Sequence, residues 1–269
     1  MTWPIVAIAV AAIFLVLVMT AAWMTGRTTG NAGWSDAFWS FGVGAAGVGV
    51  ALLPDGTPGG PTARQLVIAV LIALWGLRLG LHIAGRSRGG PEDARYAELR
   101  REWGANFSRR LFVFLMIQAA AGTFLVVTFH IAAHNPAPGL RPQDYAAILL
   151  LAIAVIGETI ADRQLHAFRR AGHRGKVCDV GLWSWSRHPN YFFEWLGWCA
   201  YPLFAIDLSG SYPWGWIALT GPAFMYWLLV HVSGIPLLEA HMLRSRPEAF
   251  RTYQRRVSAF FPYPPQSGG

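Results

Sequence analysis

The sequence predicts an all-α integral membrane protein with seven transmembrane helices, an N-terminus outside and a cytoplasmic C-terminus. Three observations lead there: apolar stretches of spanning length, no strand-like alternation within them, and basic residues gathered on one side. Hydrophobic residues make up 54% of the 269-residue chain and charged residues only 13%, with 13 Trp, unlike an ordinary soluble domain. About 20 apolar residues cross a ~30 Å hydrocarbon core as a helix, and only helices or closed barrels satisfy every backbone group in lipid. The expected spans are 5–23, 37–54, 65–83, 111–133, 145–160, 191–206 and 212–238, within one membrane domain covering 1–269.

Each element follows from its residues. The first span is preceded by Met1-Thr-Trp-Pro, which lacks the basic region of a secretory signal. The second is rich in small residues (Gly42, Gly44, Ala45, Ala46, Gly47, Gly49) that allow close helix approach. Gln118 and His130 in the fourth span suit helix–helix hydrogen bonds. The fifth continues as Glu158 to Arg170, with Glu158, Asp162, His166 and Arg169 or Arg170 on one helical stripe. Outer links at 54–61, 134–142 and 207–210 are rich in turn residues. On the inner side, 91–103 reads as a short helix with Pro91 near its first turn and Glu92 and Asp93 at its acidic end.

Nineteen of the 22 basic residues fall at 24–36, 84–110, 162–190 and 239–269, against Arg64 and Arg141 on the opposite side and Arg78 inside the third span. That bias sets the orientation; six spans with the N-terminus inside is the competing count. The net charge of +8 is then topology and attraction to anionic lipid, and gives no case for nucleic acid. Cys178 and Cys199 are expected on different levels of the membrane, unpaired. No metal-ligand spacing occurs.

The chemistry concentrates in Gly181-Leu-Trp-Ser-Trp-Ser-Arg-His-Pro-Asn-Tyr-Phe-Phe-Glu194. Pro189 favours a helix start, and a helix N-terminus beside Arg187 and His188 suits an anion. Asn190, Tyr191 and Glu194 are spaced to meet near one face, and a carboxylate one turn into a span needs a partner. The alternative is an interfacial anchor, since Arg, Trp and Tyr gather at membrane boundaries. Arg78, two turns before the inner end of the third span, suits either a functional role or a structural ion pair with Asp36, Glu158 or Glu194. Asp36 suits either a helix N-cap or, protonated, a hydrogen-bond donor. Many arginines with few buried acids suit a nucleotide bearing several phosphates, yet no Rossmann or P-loop glycine motif is present.

Gly181-Leu-Trp-x-x-Ser-Arg-His-Pro-Asn-Tyr-Phe-x-Glu194 resembles the signature of the steroid 5-alpha-reductase family, in particular its bacterial members. Leu74-Trp-Gly-Leu-Arg-Leu79, Glu92-Asp-x-Arg-Tyr96, Gly234-Ile-Pro-Leu-Leu-Glu239 and Tyr253 to Pro262 are similar to the same family in the same order, from about Asp36 onward. The resemblance implies a seven-helix protein of the bacterial inner membrane that binds NADPH from the cytoplasm. It implies reduction of a carbon–carbon double bond conjugated to a ketone. Asp162 and Arg169 match positions near the cofactor, Asn190 one that holds it, Glu194 the acid one turn on, and Arg78 the arginine of span three. Arg88, Arg187, His188, His241, Arg246 and Tyr253 complete the implied cofactor set. The Gln-Glu pair and the tyrosine that grip the steroid ketone in animal members are missing; Asp36, Trp39 and Trp75 stand there instead.

The expectation is therefore hydride transfer from NADPH to a lipophilic, steroid-like enone by a monomer, with membrane lipids as further partners. Asp36 or Tyr191 is the candidate donor to the ketone oxygen, where negative charge grows, and Asp36, Tyr191 and Glu194 form the candidate catalytic set. The rival enzyme class is a membrane methyltransferase of the isoprenylcysteine type, which uses S-adenosylmethionine and also carries an Arg-His-Pro-x-Tyr segment. A transporter or lipid-binding scaffold is the non-enzymatic alternative.

Overall fold

The computed structural model describes residues 2–54, 60–173 and 175–265; most of the outer link expected at 54–61 lies outside the described residues. Helix accounts for 78% of the protein, and no strand occurs among the described residues. The α-helices in chain order are α1 (Thr2–Thr29), α2 (Trp34–Ala51), α3 (Ala63–Ser87), α4 (Ala94–Trp103), α5 (Phe107–Ala133), α6 (Pro142–Arg170), α7 (Pro189–Trp198), α8 (Ala200–Ala205), α9 (Thr220–Trp227), α10 (Ile235–Ser245) and α11 (Pro247–Arg256). The chain divides into two compact units, Met1–Tyr145 with Tyr201–Gly221, and Ala146–Ala200 with Pro222–Gly269.

Among the described residues, five helical stretches are long and apolar enough to cross a membrane: Pro4–Thr29, Ala63–Ser87, Ala94–Ala133, Pro142–Arg170 and Pro213–Ser245. They take in the first, third, fourth, fifth and seventh expected spans. The second forms α2, whose glycines and alanines replace the large apolar side chains of its neighbours. The sixth is interrupted: α7 ends at Trp198 and α8 begins at Ala200. Pro202 explains the break, because it has no N–H for the Trp198 carbonyl and its ring crowds that carbonyl. The seventh is irregular as well, with a π turn at Leu228–Val232 before α10.

In the first unit α2 lies among α1, α3 and α5, and its small residues set the spacing. A Cβ on Gly76 would stand 3.1 Å from Gly44 Cα, and one on Gly47 would meet the Phe129 ring at 2.5 Å. Gly42 is closed off in the same way by Val18 and Leu15 of α1. The outward face of α3 is the reverse of a soluble helix: Leu66, Val70, Leu74, Leu77 and Leu81 form an i, i+4, i+8, i+11, i+15 stripe, each at least half exposed. A contiguous apolar surface of this kind marks contact with lipid or another protein.

The two arginines expected on the outer side prove to be structural. Arg64 on α3 is 2% exposed and pairs at 2.9 Å with Asp144, which is fully buried. Its guanidinium also donates to the carbonyls of Asn135, Ala137 and Gly139 at 2.7–2.8 Å, so the proline-rich link folds around it. Arg141 and Gln143 donate to the carbonyls of Leu203, Phe204 and Ile206, where α8 ends and its carbonyls lack helical partners. On the other side of this unit, α4 begins later than expected. Asp93 is its N-cap, accepting from Arg95 N at 3.0 Å, so Pro91 precedes the helix.

The second unit packs α7 on α6 through glycine again: the Phe193 ring lies where a Cβ on Gly157 would be, 2.3 Å away. Removing Arg64 leaves Asp144 with Arg141 alone, at 3.0 Å, and strands the carbonyls of Asn135, Ala137 and Gly139. Arg64→Ala is expected to cost about 3–5 kcal/mol, read as a lowered midpoint in thermal unfolding of the detergent-solubilised protein.

Candidate functional site

The motif singled out by its charged residues is the floor on which the carboxy-terminal tail rests. A 3₁₀ turn, Gly181–Ser184, opens it. Gly181 has φ +59°, a left-handed conformation that favours glycine, and the amide of Gln164 lies against it, 2.4 Å from where a Cβ would stand. Gln164 on α6 accepts from Leu182 N at 2.9 Å, and the Trp183 indole donates to Ala161 O at 2.9 Å. The loop is thereby fastened to α6. Beyond it, Ser186 and Ser258 make a single parallel bridge, with Arg187 N donating to Ser258 O at 2.8 Å. Ser186 Oγ donates to Phe260 O at 2.8 Å and accepts from His188 N at 3.1 Å. The chain then enters α7 with Pro189 in its first turn.

Glu239 on α10 is the hub. Its Oε1 accepts from Arg187 Nε at 2.8 Å and lies 3.1 Å from His188 Nε2. Its Oε2 accepts from Gln254 Nε2 at 2.8 Å. Arg187 also donates through Nη1 to Val257 O at 2.6 Å. Tyr253 completes the tie, its hydroxyl donating to Trp183 O at 2.5 Å. On α11, Phe250, Tyr253 and Val257 bury their faces against Val177, Met242 and Leu243. Burial pushes the Tyr253 hydroxyl well above the usual tyrosine range. Burial also lowers the His188 imidazole below its ordinary 6.5, more than the hydrogen bond to Glu239 raises it.

Three residues expected to hold a cofactor, Arg187, His188 and Tyr253, therefore direct these donors into the protein's own backbone and Glu239. The others in this unit stand differently. Asn190, half-buried in the first turn of α7, makes no hydrogen bond among the described residues through its amide. The Tyr191 ring stacks on His188 at 5.6 Å and 14°. Glu194 is buried and accepts from the Trp198 indole at 3.0 Å. On α6 Asp162 is half-buried and Arg169 exposed; His241 on α10 is half-buried. Arg246 stands where α10 gives way to α11, with Nη1 3.3 Å from Met242 Sδ.

Asp36, Arg78 and Arg88 belong to the first unit. Asp36 is the third residue of α2, not its N-cap, which is Gly33. Its Oδ2 accepts from Arg95 at 2.5 Å and its Oδ1 from Tyr96 Oη at 2.8 Å. With both oxygens accepting, the role of donor to a ketone is not open to Asp36 in this arrangement. Arg78 is half-buried and engaged within the protein; Arg88 is exposed just past α3. Asp93 bridges Arg95 and Arg86 at 2.9 and 2.6 Å. Burial raises its pKa, but those two guanidinium charges outweigh burial and hold it well below the usual range.

Sequence reasoning gave no role to Arg95, Tyr96, Glu239 or Gln254. The signal for three of them was present: Arg95 and Tyr96 lie in the quoted Glu92-Asp-x-Arg-Tyr96 segment, and Glu239 closes Gly234-Ile-Pro-Leu-Leu-Glu239. Gln254 lies in the Tyr253 to Pro262 segment, where nothing in its residue type singled it out.

Glu239→Ala is expected to lower the unfolding midpoint and to make the tail from 247 onward susceptible to limited proteolysis, because it strands three partners at once, the buried His188 and the half-buried Arg187 and Gln254. The sign of the pH effect follows from His188. Its neutral form contributes stability above about 6.5 that is lost as pH falls toward the lowered folded value. The unfolding midpoint should drop between pH 7 and pH 5, and His188→Asn should flatten that slope.

An uncharacterized protein of Schizosaccharomyces pombe is 25% identical over 229 residues, which are 74% of this chain and 63% of that protein. The chain thus spans less than two thirds of the length of this curated relative. No solved structure matches it. A family model of unknown function matches residues 22–257, and the chain belongs to that family, DUF1295.

Proposed function

We propose that this protein is an NADPH-dependent reductase of the steroid 5-alpha-reductase type. Its substrate is a lipophilic, steroid-like molecule with a carbon–carbon double bond conjugated to a ketone. In this reading it is a seven-span protein of the bacterial inner membrane, with α2 and the interrupted α7–α8 pair as the two additional spans and the cofactor side facing the cytoplasm. The observation that carries the proposal is Asn190: a half-buried amide with no hydrogen bond among the described residues, in the first turn of α7. Backbone N–H groups of a first turn lack helical partners and favour an anion.

The residues present fit such a cofactor. Exposed basic side chains crowd the second unit at Arg163, Arg169, Arg170, Lys176, Arg244, Arg251, Arg255 and Arg256, against exposed acids at Asp179 and Glu248. Asn190, Asp162, Arg169, His241 and Arg246 would hold the cofactor; Arg187, His188 and Tyr253 would build the floor beneath it. When bound, NADPH supplies hydride. Tyr191, aligned by its stack on His188, would donate a hydrogen bond to the ketone oxygen, where developing negative charge gains most from a preorganised partner, and water would supply the proton at the α-carbon. The proposal rests on the second unit; Asp36, Arg78 and Arg88 have no part in it.

One observation favours the methyltransferase reading: Glu239 neutralises Arg187, so a cation expected for phosphate is already matched. Thermal shift separates the two, because the bound cofactor stabilises the folded protein. NADPH is expected to raise the unfolding midpoint and S-adenosylmethionine to leave it unchanged; the reverse result selects methyl transfer. Asn190→Ala and Arg169→Ala should each weaken NADPH binding by about tenfold or more, the loss of one charged or charge-assisted hydrogen bond. Unchanged affinity in both contradicts the site.

A further inference from the structure

The segment from Arg86 to Arg110 carries seven arginines; Arg88 is exposed just past α3, and the structure treats the other six in two ways. Four are matched by acids: Arg86 with Asp93, Arg95 with Asp36 and Asp93, Arg100 with Glu92, and Arg101 with Glu98. Arg109 and Arg110, at the start of α5, are exposed and form no ion pair among the described residues. They stand at the head of an open trough of about 450 Å³ lined by Trp103, Asn106, Arg109, Arg110, Val113, Phe114 and Ile117.

The order of chemistry along this trough follows helical spacing. Arg109, Val113 and Ile117 repeat at i, i+4 and i+8, and Asn106, Arg110 and Phe114 run beside them. Donors and positive charge therefore occupy one end and aliphatic surface the other, with Val113 54% and Ile117 61% exposed. Trp103 forms a wall, its ring 6.1 Å from Phe107 and 6.2 Å from Phe114. A tryptophan beside arginines at the end of an apolar helix is the arrangement of a membrane interface.

We infer that this trough binds an anionic glycerophospholipid, its phosphate on Arg109, Arg110 and Asn106 and its acyl chain along Val113 and Ile117. Two unmatched cations above an aliphatic floor complement a molecule with that same polarity, and they do so where lipid phosphates lie. A soluble phosphate would use the cations and leave the floor unused. Neighbouring acids match four of the other five arginines, so the two adjacent cations here stand apart from most of the segment's charge.

The test titrates phosphatidylglycerol or phosphatidylcholine into the full-length protein in neutral detergent and follows its unfolding midpoint. Phosphatidylglycerol is expected to stabilise and phosphatidylcholine to do so far less. Inorganic phosphate at equal concentration should have no effect. Arg109→Gln/Arg110→Gln should raise the phosphatidylglycerol concentration for half-maximal stabilisation by about tenfold or more. Arg251→Gln/Arg255→Gln, which removes the same charge elsewhere, should leave it unchanged. An unaltered response in the first variant, an equal loss in the second, or equal stabilisation by the two lipids overturns the inference.

Discussion

The second unit is organised by one carboxylate. Glu239 accepts from Arg187 and Gln254 and lies within hydrogen-bond distance of His188, which joins the loop before α7, the helix α10 and the final helix α11. A charge so enclosed is tolerable only with its partners in place, because a half-matched buried ion costs more than no ion. The geometry of the tail thus depends on three side chains meeting at one point. Tyr253, Ser186 and the Ser186–Ser258 bridge then extend the contact along the backbone.

This arrangement changes how the arginine-histidine pair is understood. A cation near a helix start can meet an external anion or an internal one, and residue type alone does not separate the two. Here the internal anion lies 52 residues later in the chain. Arg187 and His188 are engaged by that internal anion and fix the angle at which α7 begins. A ligand held by Asn190 would feel Glu239 through that angle, as a positioning effect rather than a contact.

Much of the fold was legible because its signals are local. The glycines of α2 announced a close helix approach, and Gly44 against Gly76 delivers it. Thr62 and Gln65 form a capping box at the start of α3, and Pro202 marks the interruption of the sixth span. The pairings were less legible because they are not local. Arg64 and Asp144 are 80 positions apart, and nothing in either neighbourhood names the other. Asp36 read as a cap or an acid because its partners, Arg95 and Tyr96, come from a helix 59 and 60 positions on. A tertiary ion pair is decided by topology, which short motifs do not encode.

The coupling between Arg187 and Glu239 tests this account most directly. A double-mutant cycle with Arg187→Met, Glu239→Gln and the pair, followed by unfolding of the purified protein, isolates their interaction. The account predicts strong non-additivity, with the double variant no less stable than either single one, since removing both partners leaves no stranded charge. Effects that add to within about 0.5 kcal/mol would contradict it, and the tail would then be held by its apolar contacts alone.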